Sequence, residues 1–331
     1  MFQINKEDKL LNNYRFVDLF CGIGGFHLAL SSFGAECVFA SDINKSACEI
    51  YKKNFGIEPK GDITKIKCKE VPAHEILCAG FPCQPFSISG NRKGFDDPNG
   101  KLFFEVIRLA RFHKPKIILL ENVKNLQTHD NGNTLKTIKL KLDSIGYYSF
   151  EKVLNATYFG VPQARKRIYI IAFKKNLKIK NFTFPKENKE KYKSLQNVLL
   201  KEVDKKYYIS RDYSIDNNLD NETNNSDKII RIGKIGQGRQ GERIYSIHGQ
   251  SVTLSSQSGG LGGRTGIYLI DNKIRKLAPK ECARLMGFPD SFKCSENDNA
   301  CYIQFGNSVV VNVIQEIIKE ASKRLKDDNN G

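Results

Sequence analysis

Up to about residue 174, short apolar runs alternate with longer stretches whose apolar residues recur at helical spacing. The short runs are rich in β-branched and aromatic residues and predict five strands, at residues 16–20, 37–41, 76–79, 117–121 and 168–173. The longer stretches predict four helices, at residues 26–33, 45–54, 102–112 and 134–145, with Asn44 capping the second. This alternation is typical of a doubly wound α/β domain with a mostly parallel sheet.

The pattern changes after residue 173. Residues 174–206 hold eleven lysines and four acidic residues, and both a solvated linker and a phosphate-contacting surface fit that composition. Residues 212–227 hold five acidic residues and five asparagines, which predicts a loop facing water. Strand-like sequence with glycine turns at 236–241 and 259–263 then predicts a second, smaller, mostly β domain.

Helical spacing returns near the end of the chain, at residues 279–286 and 308–325. The apolar positions of the last helix share one face, namely Val309, Val313, Ile314, Ile317 and Ala321. This helix should therefore pack back on the large domain. We expect a catalytic and cofactor-binding domain over residues 1–190, an inserted domain over 191–274, and a return to the first domain over 275–331.

Composition and charge restrict the classes of protein to which this chain can belong. The 331 residues include 53 Lys and Arg against 36 Asp and Glu, a net charge of +17, which favours a polyanionic partner. Apolar residues make up 40% of the chain, which excludes a disordered protein, and no apolar run approaches the length of a membrane span. The polar N-terminus lacks the apolar core of a secretory signal, which predicts a cytoplasmic protein.

The nine cysteines form no Cys-x-x-Cys pair and are odd in number, so they are expected to be reduced thiols. The five histidines form no ligand pair, so no metal site is expected.

A glycine turn at residues 18–25 follows the first predicted strand and precedes a helix. Such a turn lets the backbone approach a ligand closely. His27 stands where the dinucleotide fingerprint needs a third glycine, which disfavours a nicotinamide oxidoreductase. Asp42 and Asp62 follow later elements and can accept hydrogen bonds from ribose hydroxyls. The pattern indicates an adenosine-containing cofactor, with a purely structural glycine turn as the alternative.

A thiol lies in a loop braced by prolines directly after the strand at 76–79. Cys83 is flanked by Pro82 and Pro85, which argues against a place inside a buried strand. Ligands of α/β sheets bind at the carboxyl ends of strands, so Cys83 is placed as a nucleophile would be. The other eight cysteines are expected to be small buried apolar residues.

Charged residues stand at the ends of two later strands. Glu121 ends the apolar run at 117–120, and Arg165 and Arg167 open the strand at 168–173. The carboxyl group can simply cap a helix, and the arginines can simply hold phosphate. Their predicted place at the same edge of the sheet as Cys83 favours a shared site.

In this order along the chain, the motifs resemble those of the DNA (cytosine-5) methyltransferases. The matching stretches are residues 18–25, 42, 61–62, 80–86, 121–123, 163–167, 275–288 and 304–310. The resemblance implies a Rossmann-like methyltransferase domain that binds S-adenosylmethionine, and a mostly β target-recognition domain. It extends into residues 238–246 and 253–255, where it favours a small bacterial member that methylates the inner cytosine of GCGC.

The resemblance also implies roles for individual residues. The catalytic residues would be Cys83, Glu121, Arg165 and Arg167. The cofactor would be bound by Phe20, Gly22, Gly25, Asp42, Ile43, Asp62, Ile63, Pro82, Leu102, Asn307 and Val309. DNA would be contacted by Ser89, Gln240, Arg243, Thr253 and Gln257.

The implied partner is double-stranded DNA, whose target base must leave the helix to be attacked. No dimer is needed for that reaction, so a monomer is expected, and a restriction endonuclease would be encoded separately. Two alternatives stay open: an RNA cytosine-5 methyltransferase of the same fold, and a silent DNA-binding protein that retains only the scaffold.

Overall fold

The computed structural model describes residues 10–81, 101–216 and 227–327. The strands are β1 (Arg15–Leu19), β2 (Glu36–Ser41), β3 (Ile76–Ala79), β4 (Ile117–Val123), β5 (Tyr147–Asn155), β6 (Lys166–Lys174), β7 (Tyr213–Ile215), β8 (Arg231–Ile235), β9 (Arg243–Tyr245), β10 (Ile267–Ile270) and β11 (Lys273–Arg275). The helices are α1 (Gly25–Ser31), α2 (Lys45–Phe55), α3 (Lys101–His113), α4 (Asn133–Ser144), α5 (Pro279–Leu285), α6 (Asp298–Asn307) and α7 (Val311–Asp327).

The described residues form two compact units. Of these residues, the first unit holds 10–81, 101–154, 166–186 and 314–327. The second unit holds 155–165, 187–216 and 227–313. The domain bounds expected at residues 190 and 274 stay a prediction.

A six-stranded sheet forms the centre of the first unit, in the order β2-β1-β3-β4-β6-β5. Strands β1 to β4 pair in parallel, and β6 runs antiparallel to β4. The expected doubly wound, mostly parallel sheet is thus confirmed. Because β2 and β3 lie on opposite sides of β1, the strand order reverses at β1, and ligands of such sheets bind at the carboxyl ends of the strands beside that point.

Local sequence explains these elements. All four residues of β3 and six of the seven in β4 are buried, which matches their continuous apolar runs and the burial of parallel strands on both faces. Helix α2 begins after Asn44, whose Oδ1 accepts the Ala47 N–H at 3.1 Å, and ends at Gly56 with φ of 73°. The predicted cap at Asn44 is confirmed.

Two elements were not predicted. Strand β5 is mostly half-buried, so its sequence lacks a continuous apolar run. Helix α6 buries Cys301, Tyr302, Gln304, Phe305 and Gly306, a set that mixes polar and apolar residues and leaves no amphipathic stripe.

Two sequence expectations are wrong in detail. The last helix begins at Val311 rather than at residue 308, so Val309 lies outside it, although the other four positions of the predicted face are buried. The amide of Gln315 donates to the Ser32 hydroxyl at 2.9 Å, which confirms that this helix packs on the first unit. Residues 213–215 form the edge strand β7 instead of a loop.

The second unit contains a five-stranded sheet in the order β11-β10-β9-β8-β7. Its core consists of isoleucines, namely Ile230, Ile232, Ile235, Ile244, Ile267 and Ile274. Nearby, the buried Arg275 donates to both carboxylate oxygens of Glu281, at 2.8 and 2.7 Å. Glu281 also accepts the backbone N–H groups of Leu200 and Ala278, so this buried charge is fully hydrogen-bonded.

None of the helices within the described ranges is long and apolar enough to span a bilayer. The same ranges contain no cluster of three or more His, Cys, Asp or Glu side chains arranged to hold a metal ion.

Candidate active site

The glycine turn lies at the carboxyl end of β1. Phe20, Gly22 and Gly24 all have positive φ, at 54°, 52° and 89°. A Cβ on Gly24 would lie 2.2 Å from a ring carbon of Phe55, so only glycine fits there. A Cβ on Gly22 would meet no atom within 4 Å, so the turn leaves open space beside its backbone.

Asp42 follows β2 and holds the turn in place. Its Oδ2 accepts the Gly22 N–H at 2.8 Å and its Oδ1 accepts the Asn44 N–H at 2.8 Å. The next side chain, Ile43, is 76% exposed, although it is a large apolar residue. A carboxylate and an uncovered apolar side chain therefore lie beside the glycine turn.

Asp62 and Ile63 form the next part of this edge. Asp62 Oδ1 accepts hydrogen bonds from the Thr64 hydroxyl at 2.7 Å and the Thr64 N–H at 3.0 Å, and these bonds hold the pKa of Asp62 below its usual value. The Ile63 side chain is buried, and its carbonyl accepts from the Arg108 guanidinium at 3.0 Å. The Asp62 carboxylate and the fixed backbone of Ile63 thus lie side by side.

Arg108 is a residue that the sequence did not single out. Its guanidinium also contacts Glu105 Oε2 at 2.7 Å and Cys68 Sγ at 3.1 Å. It therefore ties α3, which carries the half-buried Leu102, to the segment with Ile63. Only the spacing of Glu105 and Arg108 on one helix face hints at this from sequence.

His27 belongs to the core behind the glycine turn. Its Nδ1 lies 2.7 Å from the Tyr51 hydroxyl, and its ring stacks on Phe55 at 3.8 Å. Burial lowers the pKa of His27 to about 4, so the ring is neutral at neutral pH. His27 thus has a packing role.

Glu121 and Arg167 form an ion pair at the carboxyl end of β4. Arg167 Nε lies 3.3 Å from Glu121 Oε1, and the Glu121 residue is 8% exposed. In the antiparallel register Val123 faces Arg167 and Glu121 faces Tyr169, so the two charged residues are diagonal neighbours. The pairing of β4 with β6 thus brings together two of the predicted catalytic residues.

Asn122, next to Glu121, fixes the end of β3. Its Nδ2 donates to the Phe81 carbonyl at 2.8 Å, and its Oδ1 accepts the Val123 N–H at 2.8 Å. Both Asn122 and Phe81 are buried. Phe81 is the last described residue of this range, and Pro82, Cys83 and Ser89 lie outside the described residues.

Arg165 organises part of the second unit. It is 2% exposed and donates to three backbone carbonyls: Leu254 at 3.2 Å, Gly306 at 2.9 Å and Ser308 at 2.8 Å. These carbonyls adjoin predicted site residues, namely Thr253, Asn307 and Val309. The Thr253 hydroxyl in turn donates to the Ala164 carbonyl. Arg165 therefore fixes two backbone segments that sequence reasoning assigned to DNA and cofactor.

Three of the four predicted DNA-contacting residues of the second unit are at its surface, and Thr253 is half-buried. Gln240, Arg243 and Gln257 are exposed, and Arg243 is the first residue of β9. The Gly241 carbonyl accepts the Gly262 N–H at 2.9 Å, and a Cβ on Gly241 would lie 3.3 Å from the Gly259 oxygen. The glycines thus let the segment with Gln240 pack against the loop that follows Gln257.

Known proteins resemble this chain over nearly its whole length. A sequence model of the family described as C-5 cytosine-specific DNA methylase matches residues 14–323. The type II methyltransferase M.HhaI of Haemophilus parahaemolyticus is 49% identical over 316 residues, which cover 95% of this chain and 96% of that protein. The type II methyltransferase M.HpaII of Haemophilus parainfluenzae is 39% identical over 343 residues, covering 98% of this chain and 94% of that one.

A solved structure has the same fold. The S. pombe Dnmt2 methyltransferase superposes with a TM-score of 0.71 at 25% identity, covering 96% of this chain and 100% of that one. The chain therefore belongs to the C-5 cytosine-specific DNA methylases and is a DNA (cytosine-5) methyltransferase that uses S-adenosylmethionine.

Proposed function

We propose that this enzyme methylates carbon 5 of a cytosine that has left the DNA helix, through a covalent adduct on Cys83, at the inner cytosine of GCGC. The observation that carries the chemistry is the edge formed by β3 and β4. There the Glu121–Arg167 pair stands beside Asn122, which anchors the chain just before Cys83. A carboxyl group and a nucleophile at the carboxyl ends of adjacent strands suit addition to a ring.

The residues of the first unit fit S-adenosylmethionine. The open space at Gly22 suits close approach of the ligand, and the exposed Ile43 offers an apolar face for adenine. The carboxylates of Asp42 and Asp62 can accept from ribose hydroxyls. The remaining residues proposed to hold the cofactor are Phe20, Gly25, Ile63, Pro82 and Leu102, with Asn307 and Val309 of the second unit. When bound, the cofactor supplies an electrophilic methyl group.

The protein makes carbon 5 nucleophilic. The Cys83 thiolate adds to carbon 6 and forms a carbon–sulfur bond, which turns the ring into an enamine. Glu121 hydrogen-bonds or protonates ring nitrogen 3 and so absorbs the charge that develops there. After methyl transfer a base removes the hydrogen of carbon 5, and the carbon–sulfur bond breaks to release Cys83.

The two arginines position these groups. Arg167 holds the Glu121 carboxyl group in place through the 3.3 Å contact. Arg165 fixes the segments next to Thr253 and Asn307 and is proposed to steady the base.

Recognition is proposed for the surface of the second unit. Arg243 would contact guanine in the major groove, because a guanidinium matches the two acceptors of that base. Gln240 and Ser89 would fill the space left by the target cytosine, with Thr253 and Gln257 as further contacts. These contacts offset the few kcal/mol needed to flip a base.

The type II relatives favour a place in a bacterial restriction-modification system. The enzyme would then act on chromosomal DNA in the cytoplasm, as a monomer, beside a separately encoded restriction endonuclease.

The test is incubation with S-adenosylmethionine and unmethylated genomic DNA, followed by base-resolution bisulfite sequencing. Protection confined to the inner cytosine of GCGC supports the whole proposal. Protection at another motif would support the proposed chemistry and overturn the proposed roles of Gln240 and Arg243. Absence of protection, with the cofactor bound, excludes DNA as the substrate, and methylation of transfer RNA in a parallel reaction would identify the RNA alternative.

Arg108→Ala is expected to raise KM for S-adenosylmethionine about tenfold while kcat at saturation changes less than about twofold, because one charge-assisted hydrogen bond contributes roughly 1.5 kcal/mol. The variant removes the hydrogen bond between the Ile63 carbonyl and α3. Steady-state kinetics measure the split. Arg111→Ala, an exposed arginine on the same helix, is the matched control and should change neither constant. An unchanged KM in Arg108→Ala would argue against its positioning role.

DNA affinity is expected to fall about 10³-fold between 50 mM and 200 mM salt, because Lys and Arg displace counterions from phosphates. The net charge of +17 is the basis of this expectation. Fluorescence anisotropy with a labelled duplex measures it. A flat titration would show that the excess charge serves another purpose.

A further inference from the structure

A cleft of about 490 Å³ lies within the second unit, and none of its lining residues belongs to the proposed catalytic, cofactor or DNA sites. The cleft is lined by residues from three segments: 200–207, 278–280 at the start of α5, and 290–298. Cys294 lines this cleft and is half-buried. The cleft therefore gives small solutes access to a thiol that the methyl-transfer chemistry does not use.

A second cysteine lies directly against Cys294. Cys301, in the first turn of α6, is fully buried, and its Sγ lies 3.1 Å from the Ser295 carbonyl oxygen. The Cys301 and Cys294 side chains interact directly, since each thiol shifts the pKa of the other. The contact arises because the chain turns at residues 295–297, where Asn297 caps α6 and its N–H donates to the Ser295 hydroxyl at 3.2 Å.

The two thiols have unequal environments. The interaction with the Cys301 thiol lowers the pKa of Cys294, and the charge of Lys280 on the cleft wall adds to this effect. The pKa of Cys301 is raised by the interaction with the Cys294 thiol and by burial. An accessible, acidic thiol beside a buried, protonated one is the arrangement of an attacking and a resolving cysteine.

We propose that Cys294 and Cys301 are a reversible redox pair that hydrogen peroxide converts to a disulfide. The Cys294 thiolate attacks one peroxide oxygen, the O–O bond breaks, and the leaving hydroxide takes up a proton to become water. The Cys301 sulfur then attacks the sulfenic sulfur of Cys294, the S–O bond breaks, and a second water leaves with the Cys301 proton. The two thiols lose two electrons and the peroxide gains them, and a small dithiol reverses the reaction.

The full-length enzyme is treated with a small excess of hydrogen peroxide, alkylated, digested with trypsin and analysed by mass spectrometry. No Lys or Arg separates the two cysteines, because trypsin cuts after Lys293 and next after Lys319. We expect this peptide to become two hydrogens lighter, to resist alkylation, and to take two alkyl groups after reduction with dithiothreitol. A peptide that is alkylated twice after peroxide, as before it, would overturn the proposal.

Variants separate the two steps. Cys301→Ser should stop the reaction at a sulfenic acid on Cys294, which dimedone captures, and Cys294→Ser should leave Cys301 reduced. The half-buried Cys48 is an internal control, because burial raises the pKa of its thiol to about 11 and it should remain open to alkylation. Oxidation of Cys48 at the same rate as Cys294 would show general thiol oxidation and would also overturn the proposal.

Discussion

Cys83→Ala is expected to abolish methyl transfer while specific DNA binding remains within about twofold of the wild type. Only the covalent step needs sulfur, so the loss of kcat should be on the order of 10⁴-fold or more, the scale seen when an enzyme loses its nucleophile. Radioactive methyl transfer and gel retardation on the same duplex measure the two quantities. Cys294→Ala under reducing conditions is the matched control and should retain full activity.

A direct test of the adduct uses a duplex with fluorine at carbon 5 of the target cytosine. Cys83 can add to this ring and the ring can accept a methyl group, but the hydrogen that normally leaves carbon 5 is absent. The carbon–sulfur bond should then persist, and peptide mapping should find the DNA attached to Cys83. Attachment elsewhere, or loss of specific binding in Cys83→Ala, would remove Cys83 from the proposed role.

The sequence predicts five of the six strands of the central sheet, because most residues of these five strands are buried. Strands β3 and β4 appear as continuous apolar runs, and the predicted bounds of β3 match the structure. Strand β5 is mostly half-buried, and α6 has no amphipathic stripe, so neither has a periodic signal. The hydrophobic pattern of a sequence reflects burial, so elements whose residues are buried to different degrees leave no regular pattern.

The candidate site shows the same limit. Residue type and position at strand ends predict Glu121 and Asp42, because the parallel sheet places strand ends together. The positioning contacts of Asn122 and Arg108 depend on tertiary distances that one sequence does not contain. Arg165 was predicted from its sequence motif, but its hydrogen bonds were not. Its three carbonyl partners lie up to 143 residues away in the sequence.

Glu121→Gln is expected to lower kcat by about 10² to 10³-fold, the range for loss of a group that stabilises developing charge. Glutamine retains the size of the side chain and a hydrogen-bond donor, but it cannot transfer a proton to ring nitrogen 3. The cofactor dissociation constant should stay within about twofold, because the proposed cofactor residues are elsewhere on the sheet edge. Single-turnover methyl transfer and equilibrium titration with the cofactor give the two values.

Glu151→Gln is the matched control for this prediction, because Glu151 lies in β5 of the same sheet and forms an ion pair with Lys139 at 2.9 Å. It should alter kcat less than about twofold, as expected for a pair at the surface. Introduced alone, Arg167→Gln should lower kcat. Combined with Glu121→Gln, it should lower kcat little further, because Arg167 acts through the carboxyl group that it holds at 3.3 Å. Additive losses would show that Arg167 contacts the DNA independently, and an unchanged kcat in Glu121→Gln would transfer the charge-stabilising role to another residue.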